Sequence, residues 1–141
     1  MEQNYKNHIR LIPVWHYVMA PLLLAFLIGS IVNLVHADAH THYSAALLCL
    51  LSFMLIIIYW YARLFALKAQ DRAIRAEENF RHYLLTGKPF DKQLRLSQII
   101  ALRFASDEEM PALAKRAVEE KLSQKQIKQA IQNWRADYNR V

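Results

Sequence analysis

Residues 12–35 read IPVWHYVMAPLLLAFLIGSIVNLV, and residues 43–62 read YSAALLCLLSFMLIIIYWYA. Neither stretch contains Asp, Glu, Lys or Arg, and each is long enough for the about 20 apolar residues that a helix needs to cross a bilayer core. The short segment between them, residues 36–42, predicts that the two helices form a hairpin. We therefore expect a multi-pass membrane protein.

The charged residues are distributed unevenly around these stretches. Residues 1–62 carry no net charge, so the net charge of +6 lies in residues 63–141. Lysine and arginine occur before the first span and after the second: Lys6, Arg10, Arg63, Lys68, Arg72 and Arg75. The connecting segment has neither residue type. Because positive residues are retained on the cytoplasmic side, we expect both termini in the cytoplasm.

A cleaved signal peptide is the alternative interpretation of the first stretch. Ala37-Asp38-Ala39 has the small-x-small pattern of a cleavage site. The apolar stretch exceeds the roughly 7–15 residues of a signal peptide, so we expect it to remain in the mature protein.

Small residues recur at helical spacing on both spans. They are Ala25, Gly29 and Asn33 on the first, and Ala45, Cys49 and Ser52 on the second. Small residues allow helices to approach closely in lipid. We expect the two spans to pack on each other through these faces, with self-association in the membrane as the alternative.

The second apolar stretch has no helix-breaking residue at its end. No glycine or proline occurs between Gly29 and Gly87, so the helix is predicted to continue beyond the membrane to about Leu85. The chain accordingly divides into a transmembrane hairpin, residues 1–62, and a cytoplasmic helical domain, residues 63–141.

One face of this extension carries a repeating apolar pattern. Its members alternate spacings of four and three residues: Ala62, Ala66, Ala69, Ala73, Ala76, Phe80 and Tyr83. Such a heptad pattern predicts contact with another helix. Two interpretations remain open: the face receives the C-terminal helices of the same chain, or it forms a homodimeric coiled coil. Asp71 before Arg75 and Glu77 before Arg81 are pairs that also favour a helix.

The C-terminal segment predicts three short helices. Gly87 and Pro89 end the long helix, and apolar residues then recur at helical spacing over about 92–104, 106–122 and 123–135. The expected core residues are Leu113, Val118, Ile127, Ile131 and Trp134. The fold class is therefore all-α: a two-helix transmembrane hairpin, a long juxtamembrane helix and a small cytoplasmic helical bundle.

Serine residues mark the starts of the last two predicted helices. Ser106 with Glu109, and Ser123 with Gln126, have the spacing of a capping box. The very short turn between these helices resembles that of a helix-turn-helix in length. The turn lacks glycine and the chain is expected to be tethered to a membrane, so we do not expect nucleic acid as a partner.

The connecting segment contains the one pattern that suggests a metal site. His36, Asp38, His40 and His42 alternate along it, and imidazole and carboxylate ligands suit zinc, copper or nickel. Metal sensing or handling by His36, His40 and His42 is therefore the alternative function. The simpler interpretation is a polar turn that avoids lysine and arginine and so preserves the orientation of the hairpin.

No spacing of residues indicates catalysis or a cofactor, so we expect a protein that is not an enzyme and uses no cofactor. The leading hypothesis is an inner-membrane anchor or scaffold that presents a cytoplasmic helical interaction module. Its expected partners are the lipid bilayer, whose anionic inner leaflet attracts basic residues, and an unidentified membrane or cytoplasmic protein. A homodimer is a further alternative.

Three segments of the chain are similar to a family of small bacterial inner-membrane proteins of unknown function. They read QDRAIRAEE from Gln70, IIALRFASDEE from Ile99 and IKQAIQNWR-x-DY from Ile127. The resemblance covers nearly the whole chain and implies a bacterial source, an inner-membrane location and two spans. It implies no activity, cofactor or catalytic residue.

Overall fold

The computed structural model describes Asn4, Tyr5, Asn7 and residues 11–137. In this described part a π-helix, Val14–Met19, is followed by five α-helices. They are α1 (Ala20–Val35), α2 (His42–Thr86), α3 (Leu96–Leu102), α4 (Met110–Glu119) and α5 (Gln124–Ala130). The expected all-α class is confirmed, since the described residues form no strand. Lys6 and Arg10, which support the predicted orientation, lie outside the described residues.

Two helical segments are long and apolar enough to cross a membrane, Val14–Val35 and His42–Thr86. Their most apolar windows are only 6% and 17% buried. The chain divides into two compact units, an N-terminal unit of Leu11–Ala66 and a C-terminal unit formed mainly by residues from Leu67 onward. The bounds of α2 place its residues in both units.

Pro21 shapes the beginning of α1. The residues before it, Val14–Met19, form the π-helix, and the N–H of Ala20 bonds to the carbonyl of Trp15 five residues earlier. Proline lacks an N–H, and its ring crowds the carbonyl four residues before it. The wider π turn makes room for that ring, and the chain before Pro21 is therefore π-helical rather than α-helical.

Two contacts join the first helical segment to α2 within the N-terminal unit. The side chains of Ser30 and Ser52 are buried, and their Oγ atoms lie 3.1 Å apart. The Tyr59 hydroxyl donates to the carbonyl of Trp15 at 2.8 Å, and the two rings stack with centroids 4.2 Å apart. The hydroxyl groups of Ser30, Ser52 and Tyr59 therefore each have a hydrogen-bond partner.

The predicted small-residue face is used on α2 but not on α1. Ala45 and Ser52 are buried as expected. Gly29 is exposed, and a Cβ atom added there would have no neighbour within 4 Å. The contact on α1 is instead made by Ser30, with Leu27 half-buried beside it. A leucine side chain makes many more dispersion contacts than glycine, which favours this face.

α2 ends where the sequence predicts. Gly87 has a φ of 72°, in the left-handed region that favours glycine. Its N–H bonds to the carbonyl of Tyr83 at 2.8 Å, which satisfies one of the last carbonyls of the helix. The 45-residue length of α2 confirms that the second apolar stretch continues as one helix to residue 86.

A compact apolar core holds the end of the C-terminal unit together. Phe104, Leu102, Met110 and Ile127 are fully buried. Trp134 packs on Phe104 with ring centroids 5.0 Å apart. All five predicted core residues belong to this core or pack against it: Leu113, Val118, Ile127, Ile131 and Trp134.

The turn between α4 and α5 is closed without glycine. Lys121 has a φ of 51°, a conformation that costs a residue with a Cβ about 1 kcal/mol. Its N–H bonds to the carbonyl of Val118 at 3.3 Å, and the N–H of Leu122 bonds to that of Ala117 at 3.1 Å. These two bonds form a Schellman motif, and the buried Leu122 side chain supplies its apolar contact.

Gln98 secures this turn from α3. Its side chain is buried, and its Nε2 donates to the carbonyls of Ala117 at 3.2 Å and Leu122 at 2.8 Å. Its Oε1 accepts from the N–H of Arg95 at 2.8 Å. A buried amide costs little when its donors and acceptor are all partnered, so Gln98 fixes α3 against the end of α4.

The predicted helix around Ser106 begins too early. α4 starts at Met110, and the Ser106 hydroxyl only approaches the N–H of Glu109, at 3.4 Å. The Glu109 carboxylate does not complete the capping box. It accepts instead from the backbone N–H groups of Gln132 and Asn133, at 3.2 and 3.0 Å. A charged acceptor forms strong hydrogen bonds, and here the carboxylate binds two N–H groups, whereas a capping box would offer it one. The Ser123–Gln126 capping box is confirmed.

Trp134 lies outside the predicted last helix. α5 ends at Ala130, and Trp134 forms an isolated antiparallel bridge with Ala105. The N–H of Arg135 donates to the carbonyl of Phe104 at 2.8 Å, and the N–H of Ser106 donates to that of Asn133 at 3.1 Å. The extended backbone thus brings the Trp134 ring onto Phe104, which a continued helix would not do.

Replacing Ile127 with alanine should destabilise the C-terminal unit by about 2–5 kcal/mol, since the side chain is fully buried and its removal leaves a cavity. Thermal unfolding of the full chain in detergent, followed by circular dichroism, measures the effect. Gln129→Ala, at an exposed position of the same helix, is the control and should change stability by less than about 0.5 kcal/mol. Equal melting of the two variants would contradict the packing described.

Candidate interaction surface of the C-terminal unit

Arg81 connects α2 to the C-terminal helices. Its guanidinium donates to Glu78 at 2.9 Å, to Asp107 at 2.6 Å and to the carbonyl of Ala105 at 2.8 Å. Glu78 is buried, and its second carboxylate oxygen lies 3.8 Å from Nη1 of Arg135. A buried charge is stable only when it is paired and hydrogen-bonded, so this cluster fixes which face of α2 lies against residues 105–107.

The predicted ion pair between Glu77 and Arg81 is wrong. Arg81 pairs with Glu78, three residues earlier, and Glu77 is exposed. Both acids lie within reach of Arg81 along a helix, so spacing alone does not separate them. The decisive difference is that Glu78 faces the C-terminal helices, where Arg135 and Asp107 complete the cluster.

The opposite side of α2 is exposed and apolar. Ile74 and Glu78 are buried, and Glu78 is contacted by Arg81 and Arg135, whereas Phe80 is 62% exposed and Tyr83 51% exposed. We call the exposed set the seam: Ala69, Ala73, Ala76, Phe80 and Tyr83. In the C-terminal unit these residues therefore do not receive the chain's own helices, which was one of the two predicted interpretations.

A basic groove borders the seam. It has a volume of about 470 Å³ and is lined by three cationic side chains, Arg72, Arg75 and Lys92, with Asp91 as the acidic residue of its lining. A net positive lining of this kind suits an anionic group such as a phosphate.

A second groove lies between the end of α2 and α4. Its volume is about 410 Å³, and its lining includes Leu94, Pro111 and Val118. The rings of His82 and Phe90 pack against each other at one side, with centroids 4.4 Å apart. The His82 ring nitrogen Nδ1 lies 2.8 Å from the carbonyl of Lys88.

The three histidines predicted to bind metal lie at the connection between α1 and α2. His36 follows the last residue of α1, and its Nδ1 lies 2.9 Å from the carbonyl of Val32. His40 contributes its backbone N–H to Asp38 at 3.1 Å, and His42 is the first residue of α2. Across the described residues, no three His, Cys, Asp or Glu side chains are grouped closely enough to hold a metal ion.

Asp38 has a capping role in the same segment. Its carboxylate accepts from the Thr41 hydroxyl at 2.8 Å and from the N–H of Thr41 at 2.9 Å. These bonds, with the N–H of His40, hold the pKa of the Asp38 carboxyl below its ordinary value. The carboxylate counted as a possible ligand is thus occupied at the beginning of α2, where a cap of this kind satisfies free backbone donors.

The other displaced pKa values also have local causes. The N–H of Glu108 itself and the Ser106 hydroxyl lower the pKa of the Glu108 carboxyl. The Glu120 carboxylate, one helical turn away, raises the pKa of the Arg116 guanidinium. All three groups lie at helix ends or on exposed helix surface, where such bonds are ordinary capping and pairing contacts.

The fold and these surfaces define an all-helical protein with two candidate membrane-spanning helices and a small packed helical unit. The chain belongs to the family of unknown function DUF6526, whose model matches residues 1–141. No curated protein and no solved structure matches the chain. Membership of a family of unknown function is therefore confirmed, while the bacterial source and the two-span architecture stay predictions.

Glu78→Gln should destabilise the C-terminal unit by about 1–3 kcal/mol, because it removes a buried charge that Arg81 and Arg135 both contact. Glu77→Gln, at the neighbouring exposed position, is the matched control and should have almost no effect. Thermal unfolding of the two full-length variants in detergent gives the comparison. A larger loss for Glu77→Gln would restore the pair predicted from spacing.

The histidine prediction is tested by isothermal titration of zinc into the detergent-solubilised protein and into a His36→Ala/His40→Ala/His42→Ala variant. From the arrangement of the three residues we expect equal heats. His82→Ala controls for weak binding by a single half-buried imidazole outside the connection. A binding heat that only the triple variant loses would favour metal handling over a polar turn.

Proposed function

We propose that this protein is a non-enzymatic inner-membrane scaffold. The two apolar helices anchor it as a hairpin with both termini in the cytoplasm, and the C-terminal unit presents a rigid helical surface to other proteins. The observation that carries the proposal is the exposure of the apolar helices. Segments of this length and composition that are almost unburied within the chain require an apolar environment around them.

The side chains along the two apolar segments support a lipid environment. Leu22, Ile28, Phe53 and Ile57 are each about half exposed or more. Soluble proteins rarely leave contiguous apolar patches of this extent uncovered. The paired serines and the Tyr59–Trp15 hydrogen bond satisfy the three hydroxyl groups of these contacts within the protein, as an apolar bilayer core favours.

The basic residues of the C-terminal unit support contact with the anionic leaflet. Arg75 and Lys92 line one groove, and a lysine or arginine near an anionic membrane surface contributes about 1 kcal/mol of attraction. Lipid phosphate and other anionic headgroups are therefore the proposed ligands of this groove. Arg72 and Arg75, which lie within about 15 residues of the second apolar stretch, favour retention of the unit on the cytoplasmic side.

The packing of the C-terminal unit supports its role as a presented module. Its core is closed by Phe104, Ile127 and Trp134, while Phe80 and Leu84 remain exposed on α2, with 62% and 68% of their surfaces accessible. Large apolar side chains on the outside of a well-packed unit are typical of protein interaction surfaces.

Membrane topology tests the proposal directly. In a Cys49→Ala background, a single cysteine is introduced at Ala39, in the connection, or at Ala112, on the exposed side of α4. A membrane-impermeant maleimide added to intact spheroplasts should label Ala39→Cys, and should label Ala112→Cys only after permeabilisation. Labelling of Ala112→Cys in intact spheroplasts, or recovery of the protein in the soluble fraction, would overturn the proposed function.

A further inference from the structure

We propose that two copies of this protein associate in parallel through the seam on α2. The partner is a second copy of the same chain, and the contact is a short two-stranded coiled coil. The inference rests on the proposed function in one respect: insertion of both copies with the same orientation makes the two α2 helices parallel.

The spacing of the seam residues fits a coiled coil. From Ala69 to Tyr83 the intervals are four, three, four and three, which place Ala73 and Phe80 at the a positions and Ala69, Ala76 and Tyr83 at the d positions of a heptad. These are the positions that meet a partner helix. All five side chains are exposed in the single chain, so the pattern is not used by the fold.

The buried residues and the Arg81 cluster lie on the other side of the same helix, while Asn79, at a g position beside the seam, accepts from the N–H of Phe90 at 2.9 Å. Ile74 and Arg81 fall at b positions and Glu78 at an f position, which point away from the axis of a coiled coil. Ile74 and Glu78 are buried, and Arg81 bonds to Glu78 and to a backbone carbonyl that follows α3. A second copy can therefore contact the seam without displacing them.

The side chains of the seam suit a close helical contact. The three alanines permit the helices to approach, and Phe80 and Tyr83 supply the large apolar surface. Buried aromatic pairs contribute roughly 0.5–1.5 kcal/mol beyond their area. Phe80 and Tyr83 lie close to the end of α2 at Thr86, so most of the apolar area of the contact lies in the last two turns of the helix.

Two charges next to the seam select a copy in parallel orientation. Arg72 occupies a g position and Glu77 the following e position, five residues later. In a parallel dimer, g and e positions at this spacing face each other, so Arg72 of each copy meets Glu77 of the other. In an antiparallel dimer arginine would face arginine, and glutamate would face glutamate. Within the described residues neither side chain takes part in an ion pair of its own chain.

Membrane anchoring compensates for the short length of the seam. About two heptads with three alanines form a weak coiled coil in solution, because little area is buried and helix pairing has to offset lost freedom. Two copies held in one bilayer with the same orientation meet at a high effective concentration, as tethered binding modules do. A contact that is weak in solution is then populated in the membrane.

The test is cysteine crosslinking of the full chain in native membranes. In the Cys49→Ala background, Ala76→Cys places a thiol at a d position, where a parallel dimer brings the two copies together. Mild oxidation should give a disulfide-linked dimer from Ala76→Cys. Ala112→Cys, on α4 and outside the seam, is the control and should stay monomeric.

Charge exchange identifies the partner as a second copy. In the Ala76→Cys protein, Arg72→Glu and Glu77→Arg should each lower the dimer yield roughly fivefold, since each places like charges opposite one another. The combined Arg72→Glu/Glu77→Arg variant should restore the yield. Circular dichroism of each variant checks that the helices are retained.

The outcomes separate this inference from the proposed function. Equal dimer yields from Ala76→Cys and Ala112→Cys, or no restoration by the double exchange, would overturn the parallel seam even when the topology is as proposed. Labelling of Ala112→Cys from outside would overturn the proposed function. In that case the seam would still be supported if Ala76→Cys forms a dimer whose yield the double exchange restores. Crosslinking of Ala76→Cys to a different protein in place of a second copy would also overturn the inference.

Discussion

The guanidinium of Arg81 bonds at once to a buried carboxylate, an exposed carboxylate and a backbone carbonyl. A planar group with several donors in fixed directions can bind all three, which the single ammonium group of lysine would not do with the same geometry. Because Glu78 is buried, its charge has to be met from this side. The rotation of α2 about its own axis within the C-terminal unit follows from that requirement.

Because the Arg81 cluster binds one side of α2, the opposite side of this helix faces outward. Here the presented side carries Phe80, Tyr83 and three alanines, and it is flanked by Arg72 and Glu77, which have no ion-pair partner among the described residues of the chain. The same helix is apolar on all sides over residues 43–62. Both proposals therefore concern what covers the apolar surface of α2: lipid over residues 43–62, and a second copy of the chain along the seam.

The sequence predicts the helices more reliably than their contacts. Long apolar periodicity and the glycine at position 87 are local signals, and the extent of α2 agrees with them. The choice of Glu78 over Glu77, and of Ser30 over Gly29, depends on residues far away in the chain. Trp134 was expected on a helix because its spacing from Ile127 fits one, but the bridge to Ala105 governs that segment.

The interaction surface could be predicted only in part. The seam was visible as a heptad pattern, whereas its exposure in the single chain became evident only once Ile74 and Glu78 were seen on the inner side. The turn at Lys121 has no glycine, so the sequence contains no local signal for its positive φ. Its two Schellman hydrogen bonds and the amide of Gln98 stabilise it from outside the local sequence, and no propensity scale includes such a contribution.

The buried position of Gln98 makes the fold sensitive to deamidation of this side chain. Deamidation would replace the NH₂ group by an oxygen that faces the carbonyl oxygens of Ala117 and Leu122. Two donors would be lost, and a carboxylate would be enclosed among acceptors, an arrangement that buried polar groups do not tolerate. A molecule damaged at this one amide would open between α3 and α4, and its apolar core would become accessible to proteases.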